Sequence, residues 1–130
     1  MKQGKIIEPA KVNIRPHERS TARAIARTGM VVEFVIKSEY THTNSADLLI
    51  DGIVWEMKSP QTDKWTQLEK NPKRASKQSP YIIIDSQRVK RMQDRTIQNF
   101  LIAKFKANKS IKRLLFVNRR REVIDISDLI

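Results

Sequence analysis

One stretch constrains the fold of this chain more than any other: Leu48-Leu49-Ile50-Asp51-Gly52-Ile53-Val54-Trp55. Two apolar runs flank an Asp-Gly pair. A two-residue turn between antiparallel strands needs positive φ at both turn positions, which Asp and Gly tolerate. With Asp51 and Gly52 as the turn, the register follows: Ile50 opposite Ile53, Leu49 opposite Val54, Leu48 opposite Trp55, and Asp47 opposite Glu56. Opposed residues share a face, with Cβ atoms roughly 4.5–5.5 Å apart. Lys58, two positions beyond Glu56, shares that face. A single turn thus predicts that three charged side chains converge.

Two opposed carboxylates repel, and in an ordinary sheet that lowers stability. A divalent cation removes the conflict. Carboxylate oxygens suit Mg²⁺ or Mn²⁺, with Zn²⁺ as a further option. Such an ion makes hydroxide available near neutral pH and polarises a phosphate, while a lysine stabilises the charge that develops. The competing reading is a solvated sheet face with Lys58 as counter-ion. The apolar flanks on both faces of the hairpin argue against it, because charge at the end of a strand buried on both sides needs compensation. Glu18 is a second candidate. It precedes Ala22 and Ile25 at helical spacing, so it lies on the stripe that faces a core. A first-turn glutamate favoured by the helix dipole is the alternative.

The remaining pattern fills in the elements. Residues 1–15 read as irregular, with Gly4 and Pro9 as interruptions. Pro16 suits a helix start, and the spacing predicts a helix over 17–28 with Gly29 as its cap. A strand is predicted over 30–36 and a polar loop over 37–45. The hairpin comes next. Residues 62–78 read as a helix broken near Asn71-Pro72. Tyr81 to Ile84 reads as a short buried strand. A longer helix is predicted over 88–108, with Val89, Met92, Phe100 and Ala103 on one side. Strands over 114–117 and 123–126 close the chain, with Arg119 to Arg121 at the turn between them. The order α-β-β-β-α-β-α-β-β predicts one α/β domain over 1–130, a mixed central sheet flanked by helices.

Of the 130 residues, 26 are Lys or Arg and 14 are Asp or Glu, a net charge of +12. The excess lies almost wholly in the second half: nine against seven over residues 1–60, seventeen against seven over 61–130. Such a field draws polyanions, nucleic acid above all. The candidates for phosphate contact are Lys73, Arg74, Lys77, Arg119, Arg120 and Arg121, each of which would fit a solvated surface equally well. Trp65 and Tyr81 are candidates for base stacking, though Tyr81 also fits the buried strand. There is no cysteine, hence no disulfide or thiolate site. No apolar run approaches a membrane span, and no apolar signal region follows the N-terminus. His17 and His42 leave open a metal-free ribonuclease using two imidazoles. A non-catalytic nucleic-acid-binding module also stays open.

The combined pattern resembles the PD-(D/E)XK nuclease superfamily, whose core is restriction-endonuclease-like. Glu18 matches the helix-one glutamate of many members, Asp47 the metal-binding aspartate, and Glu56 with Lys58 the (D/E)-x-K pair. Ala46 stands where the usual proline precedes the aspartate. Gln78 resembles a glutamine found in some branches after the hairpin. Within the superfamily, the stretch from Ala46 to Asp85 is similar to the C-terminal tRNase toxin domains of contact-dependent growth inhibition proteins. The likeness rests on Ile50-Asp51-Gly52, Trp55-Glu56-Met57-Lys58-Ser59-Pro60, and Ala75-Ser76-Lys77-Gln78 ahead of Tyr81-Ile82-Ile83-Ile84-Asp85. The resemblance implies a metal-dependent RNase acting on tRNA, with DNA as the alternative substrate on the same scaffold. It also implies delivery into the cytoplasm from another cell, and a cognate immunity protein as partner.

Overall fold

Both turn residues of the hairpin take positive φ in the computed structural model, Asp51 at 49° and Gly52 at 86°. Leu48 pairs with Trp55, Leu49 with Val54 and Ile50 with Ile53, the expected register. The structure describes residues 4–9, 14–36, 46–61 and 79–129, with Ile36, Ala46 and Asp47 described by their backbone. The expected helix over 62–78 and loop over 37–45 lie outside the described residues.

Contacts divide the chain into two compact units, Met1–Trp55 and Glu56–Ile130. The first contains strand β1 (Ile6–Ile7), helix α1 (Pro16–Ala26), β2 (Val32–Ile36), β3 (Ala46–Ile50) and the first half of β4 (Ile53–Lys58). β2 runs antiparallel to β3, with Phe34 opposite Leu48. Phe34, Leu48 and Trp55 therefore form one cross-strand row, at most 3% exposed. Burying each such side chain contributes roughly 1.5–3 kcal/mol. Val32 and Ile50 extend the same buried face, and α1 buries Ala22, Ala24, Ile25 and Ala26. Gly29, at φ 100°, follows the helix as expected.

The N-terminal segment is not wholly irregular, contrary to its Gly/Pro punctuation. Ile6 and Ile7 pair parallel with Val32 and Glu33, and Lys5 accepts a hydrogen bond from the Val32 N–H. Two residues are too few for an alternation to show in sequence. Gly4 makes the approach possible: its N–H donates to Ala26, and a Cβ there would lie 1.8 Å from the Met30 carbonyl oxygen.

The second unit continues β4 through Glu56–Lys58 and adds β5 (Tyr81–Asp85), α2 (Asp94–Ala107), β6 (Arg113–Val117) and β7 (Val123–Asp125), then a 3₁₀ turn at Ile126–Leu129. β4, β5 and β6 are parallel, and β7 returns antiparallel to β6. The class is mixed α/β, with pairing that follows chain order. Ile82, Ile84, Leu114 and Phe116 form the core with Ile97 and Leu101 of α2. Ile83 and Leu115, of opposite parity, are also buried. Burial on both faces explains the uninterrupted apolar reading of β5 and β6.

Helix α2 is shorter than the predicted 88–108. Residues 86–93 form a turn closed by Val89 N–H donating to Ser86. Asp94 fixes the helix start, accepting from the Ser86 hydroxyl at 2.6 Å and the Arg119 N–H at 2.9 Å. Val89 is a core residue, 2% exposed, but it reaches the core from the turn. Ala103, expected on the buried side, is exposed, because the buried stripe of the helix runs through Ile97 and Leu101 and position 103 falls on another face. The final strand ends at Asp125, where Ile126 turns into the core.

Candidate functional site

Parallel pairing places Glu56 opposite Ile82 and Lys58 opposite Ile84, the parity of the α2-facing core. Glu56 is only 7% exposed. A carboxylate this buried demands compensation. The Lys58 ammonium lies 3.3 Å from Glu56 Oε1, with its side chain 30% exposed. Residues i and i+2 on one strand share a face, so the Glu-x-Lys spacing makes this pair without help from a loop.

The hairpin preceding Glu56 is not buried on both faces, which corrects an expectation. Glu33, Leu49 and Val54 form its second row. Leu49 is half-buried and Val54 is 44% exposed. An antiparallel sheet needs only one face covered. The unusual feature is the burial of Glu56 itself, not that of the strand leading to it.

Asp47 lies in β3 opposite Val35. Its expected pairing with Glu56 is one step beyond the described register. Glu18 has a defined local role: its Oε1 accepts the Arg15 N–H at 2.8 Å, while its own N–H donates to the Arg15 carbonyl at 3.0 Å. It thereby satisfies a backbone donor that the first helical turn leaves orphaned. His17 stands beside it in α1, with its carbonyl accepting the Thr21 hydroxyl. Among the described residues, no three His, Cys, Asp or Glu side chains gather as a metal cage. Lys73, Arg74, Lys77, Gln78, Trp65 and His42 lie outside the described residues. Tyr81 opens β5 and is half-buried.

A second constellation occupies the carboxyl end of β5. Asp85 is fully buried and accepts two hydrogen bonds from Arg121, at 2.9 and 2.8 Å. It also accepts the Gln87 N–H and side-chain amide, at 2.8 and 3.1 Å. Sequence reasoning took Asp85 only as the end of a strand. The available signal was an acid directly after an apolar run, at the end where open α/β sheets place their sites. The three arginines of the β6–β7 turn separate by role. Arg121, at φ 63°, is committed to Asp85. Arg119 pairs with Asp94 at 3.5 Å and donates to the Met92 carbonyl. Arg120 is exposed.

The span from the hairpin to this turn has known relatives. The contact-dependent growth inhibition CdiA C-terminal domain matches residues 44–123. The chain belongs to this family.

The CdiA C-terminal domain match takes in Asp47, Glu56, Lys58, Asp85 and the three turn arginines, and leaves Glu18 and His17 outside. No curated protein matches the chain. Among solved structures, it is similar to the CdiA-CT/CdiI toxin and immunity complex from Burkholderia pseudomallei, with a TM-score of 0.63 and 14% identity. That likeness covers 94% of this chain and 98% of the other. At this identity it speaks for the fold. No helix among the described residues is long and apolar enough to cross a membrane.

Proposed function

We propose that this CdiA C-terminal domain is a toxin nuclease that hydrolyses phosphodiester bonds with a divalent metal, in the manner of the PD-(D/E)XK superfamily. The observation that carries the reading is Glu56, buried to 7% and 3.3 Å from Lys58, on a hairpin whose register is fixed up to Leu48 and Trp55. One further pair in that register would set Asp47 opposite Glu56. The donor chemistry fits a hard cation: carboxylate oxygens, with no thiolate in the chain. Mg²⁺ is held through one or two carboxylates and keeps several waters, so a full protein cage is not required. Asp47 and Glu56 would hold the ion.

When bound, the ion would supply a polarised phosphate and a hydroxide near neutral pH. Lys58 would hold its ammonium against a phosphate oxygen as negative charge develops there. The +12 charge of the chain would gather the polyanionic substrate. RNA, and tRNA within it, is the proposed substrate. The proposed site of action is the cytoplasm of a target cell. A cognate immunity protein is the proposed partner, as the solved relative is a toxin and immunity complex.

The test incubates the protein with tRNA, other RNA and DNA in Mg²⁺ or Mn²⁺, then repeats each reaction in EDTA. Cleavage lost in EDTA and in Glu56→Gln supports the reading. Cleavage that survives EDTA and depends on His17 and His42 overturns it.

A further inference from the structure

In the second unit, the carboxyl ends of β5 and β6 carry two basic segments, the 86–93 turn leading into α2 and the 118–122 turn. They are bonded to one another. Asp94 receives the Arg119 N–H at 2.9 Å and pairs with its guanidinium at 3.5 Å. Arg119 also donates to the Met92 carbonyl. Asp85 and Asp94 are turned to internal use in this seam, Asp85 on Arg121 and Asp94 on Ser86 and Arg119. The exposed acid of the second turn, Glu122, accepts from the Asn118 side-chain amide, and cations stand on the rim.

Three rim cations are exposed: Lys90 in the first turn, Arg95 directly after Asp94, and Arg120 directly after Arg119. Among the described residues none of the three has an ion pair. Arg95 and Arg120 each follow in sequence one member of the Asp94–Arg119 pair, and Lys90 stands two residues before Met92, whose carbonyl accepts from Arg119. The carboxyl end of β4, with Glu56 and Lys58, lies on the same sheet edge, because β4, β5 and β6 are parallel. Two strand spacings separate β4 from β6, roughly 10 Å. The start of a helix adds positive potential at this edge.

We propose that Lys90, Arg95 and Arg120 form a track for the phosphate backbone of the nucleic acid that reaches Glu56 and Lys58; this rests on the nuclease reading for the end point of the track. The contacts are point charges on flexible or planar heads, so they position a strand and read no sequence. The track is built from a bonded pair of turns. The cations at the other end of α2, Lys106, Lys109 and Lys112, are exposed as well. The helix places them about 20 Å away.

The test compares two triple variants of equal charge: Lys90→Gln/Arg95→Gln/Arg120→Gln, and Lys106→Gln/Lys109→Gln/Lys112→Gln. Binding to a tRNA is measured in EDTA over a salt series, with circular dichroism as the check on folding. Each phosphate contact contributes about 0.7–0.9 to the slope of log K against log salt. The rim triple is expected to lower that slope by roughly 2 to 3 and the distal triple to leave it near the parent value. Equal losses in both triples would overturn the track and leave only bulk charge. Binding in EDTA needs no turnover, so a failed nuclease reading shows separately, as a parent protein that binds through the rim and cleaves nothing.

Discussion

Arg121 offers the sharpest test of how the second unit is held together. Asp85 is fully buried and has four described hydrogen bonds, two of them from Arg121. Arg121→Ala removes both and leaves a buried carboxylate with only the Gln87 donors among those four. Breaking a buried pair from one side costs about 3–5 kcal/mol. The Arg121 side chain keeps 20% exposure, so the low end applies, about 3 kcal/mol. A total stability of about 5–15 kcal/mol is usual, and for a chain this size the loss should lower the Tm by roughly 10 °C. The backbone provides an internal control. Arg121 sits at φ 63°, a conformation that costs a side-chain-bearing residue about 1 kcal/mol. Arg121→Gly loses the same pair but relieves that strain, so it should be about 1 kcal/mol more stable than Arg121→Ala. Urea unfolding of the two variants and the parent reads all three values. An Arg121→Ala protein within about 0.5 kcal/mol of the parent, the scatter of ordinary surface changes, would refute the reasoning. So would a glycine variant less stable than the alanine one.

Other consequences follow from the hairpin and the N-terminal strand. Glu56→Gln and Asp47→Asn should each reduce metal-dependent cleavage by at least roughly 100-fold, and calorimetry should show their Mn²⁺ binding weakened in parallel; full activity in either variant removes the carboxylate pair from the mechanism. Gly4→Ala places a Cβ 1.8 Å from the Met30 oxygen, a clash with backbone, and should destabilise by about 2–3 kcal/mol. Gly52→Ala meets no atom within 4 Å but keeps φ at 86°, so strain alone acts and about 1–2 kcal/mol is expected. Chemical denaturation that ranks Gly52→Ala below Gly4→Ala in stability would contradict the assigned packing.

The hairpin was legible in sequence because its information is local. An Asp-Gly pair sets two backbone angles, and those angles set three cross-strand pairs. The apolar runs at Ile82–Ile84 and Leu114–Val117 were legible for a similar reason, since a strand covered on both faces has no room for polar residues. What stayed hidden depends on distant partners. Ile6 and Ile7 become a strand only because Gly4 lets the chain approach Met30. The start of α2 is set by Asp94, whose partners Ser86 and Arg119 lie on either side of it in sequence; apolar periodicity carried the helix back through Val89, which is buried for another reason. The basic cluster was readable as charge, but composition could not assign Arg121 to a buried acid and Arg120 to solvent. For the candidate site, Glu-x-Lys spacing predicted a shared face, and Glu56 and Lys58 meet on it. The burial of Glu56 is a tertiary property, which no local pattern reports.

Charge balance explains why a lysine so close to a proposed metal ligand would be useful rather than harmful. Asp47, Glu56 and Lys58 sum to −1. A divalent ion brings the proposed site to +1, and a phosphodiester neutralises it. Without Lys58 the filled site would be neutral, with nothing left to match the substrate. Lys58 therefore opposes the ion and favours the substrate, and the two effects can be separated. Lys58→Met removes a positive charge 3.3 Å from Glu56 Oε1. An ion held by Glu56 would stand within a few ångströms of that ammonium, and like unit charges about 4 Å apart repel by about 4 kcal/mol at an effective dielectric constant near 20; with 30% of the lysine side chain exposed, screening is taken to reduce this to about 1.4 kcal/mol, or tenfold in affinity. Mn²⁺ titration by calorimetry should thus show about tenfold tighter binding in Lys58→Met, while tRNA cleavage under saturating Mn²⁺ falls. If Lys58 only neutralised a buried glutamate, the variant would lose stability, and its cleavage at saturating metal would match that of the parent. Tighter metal binding with slower cleavage is the signature of a lysine whose charge acts on the phosphate.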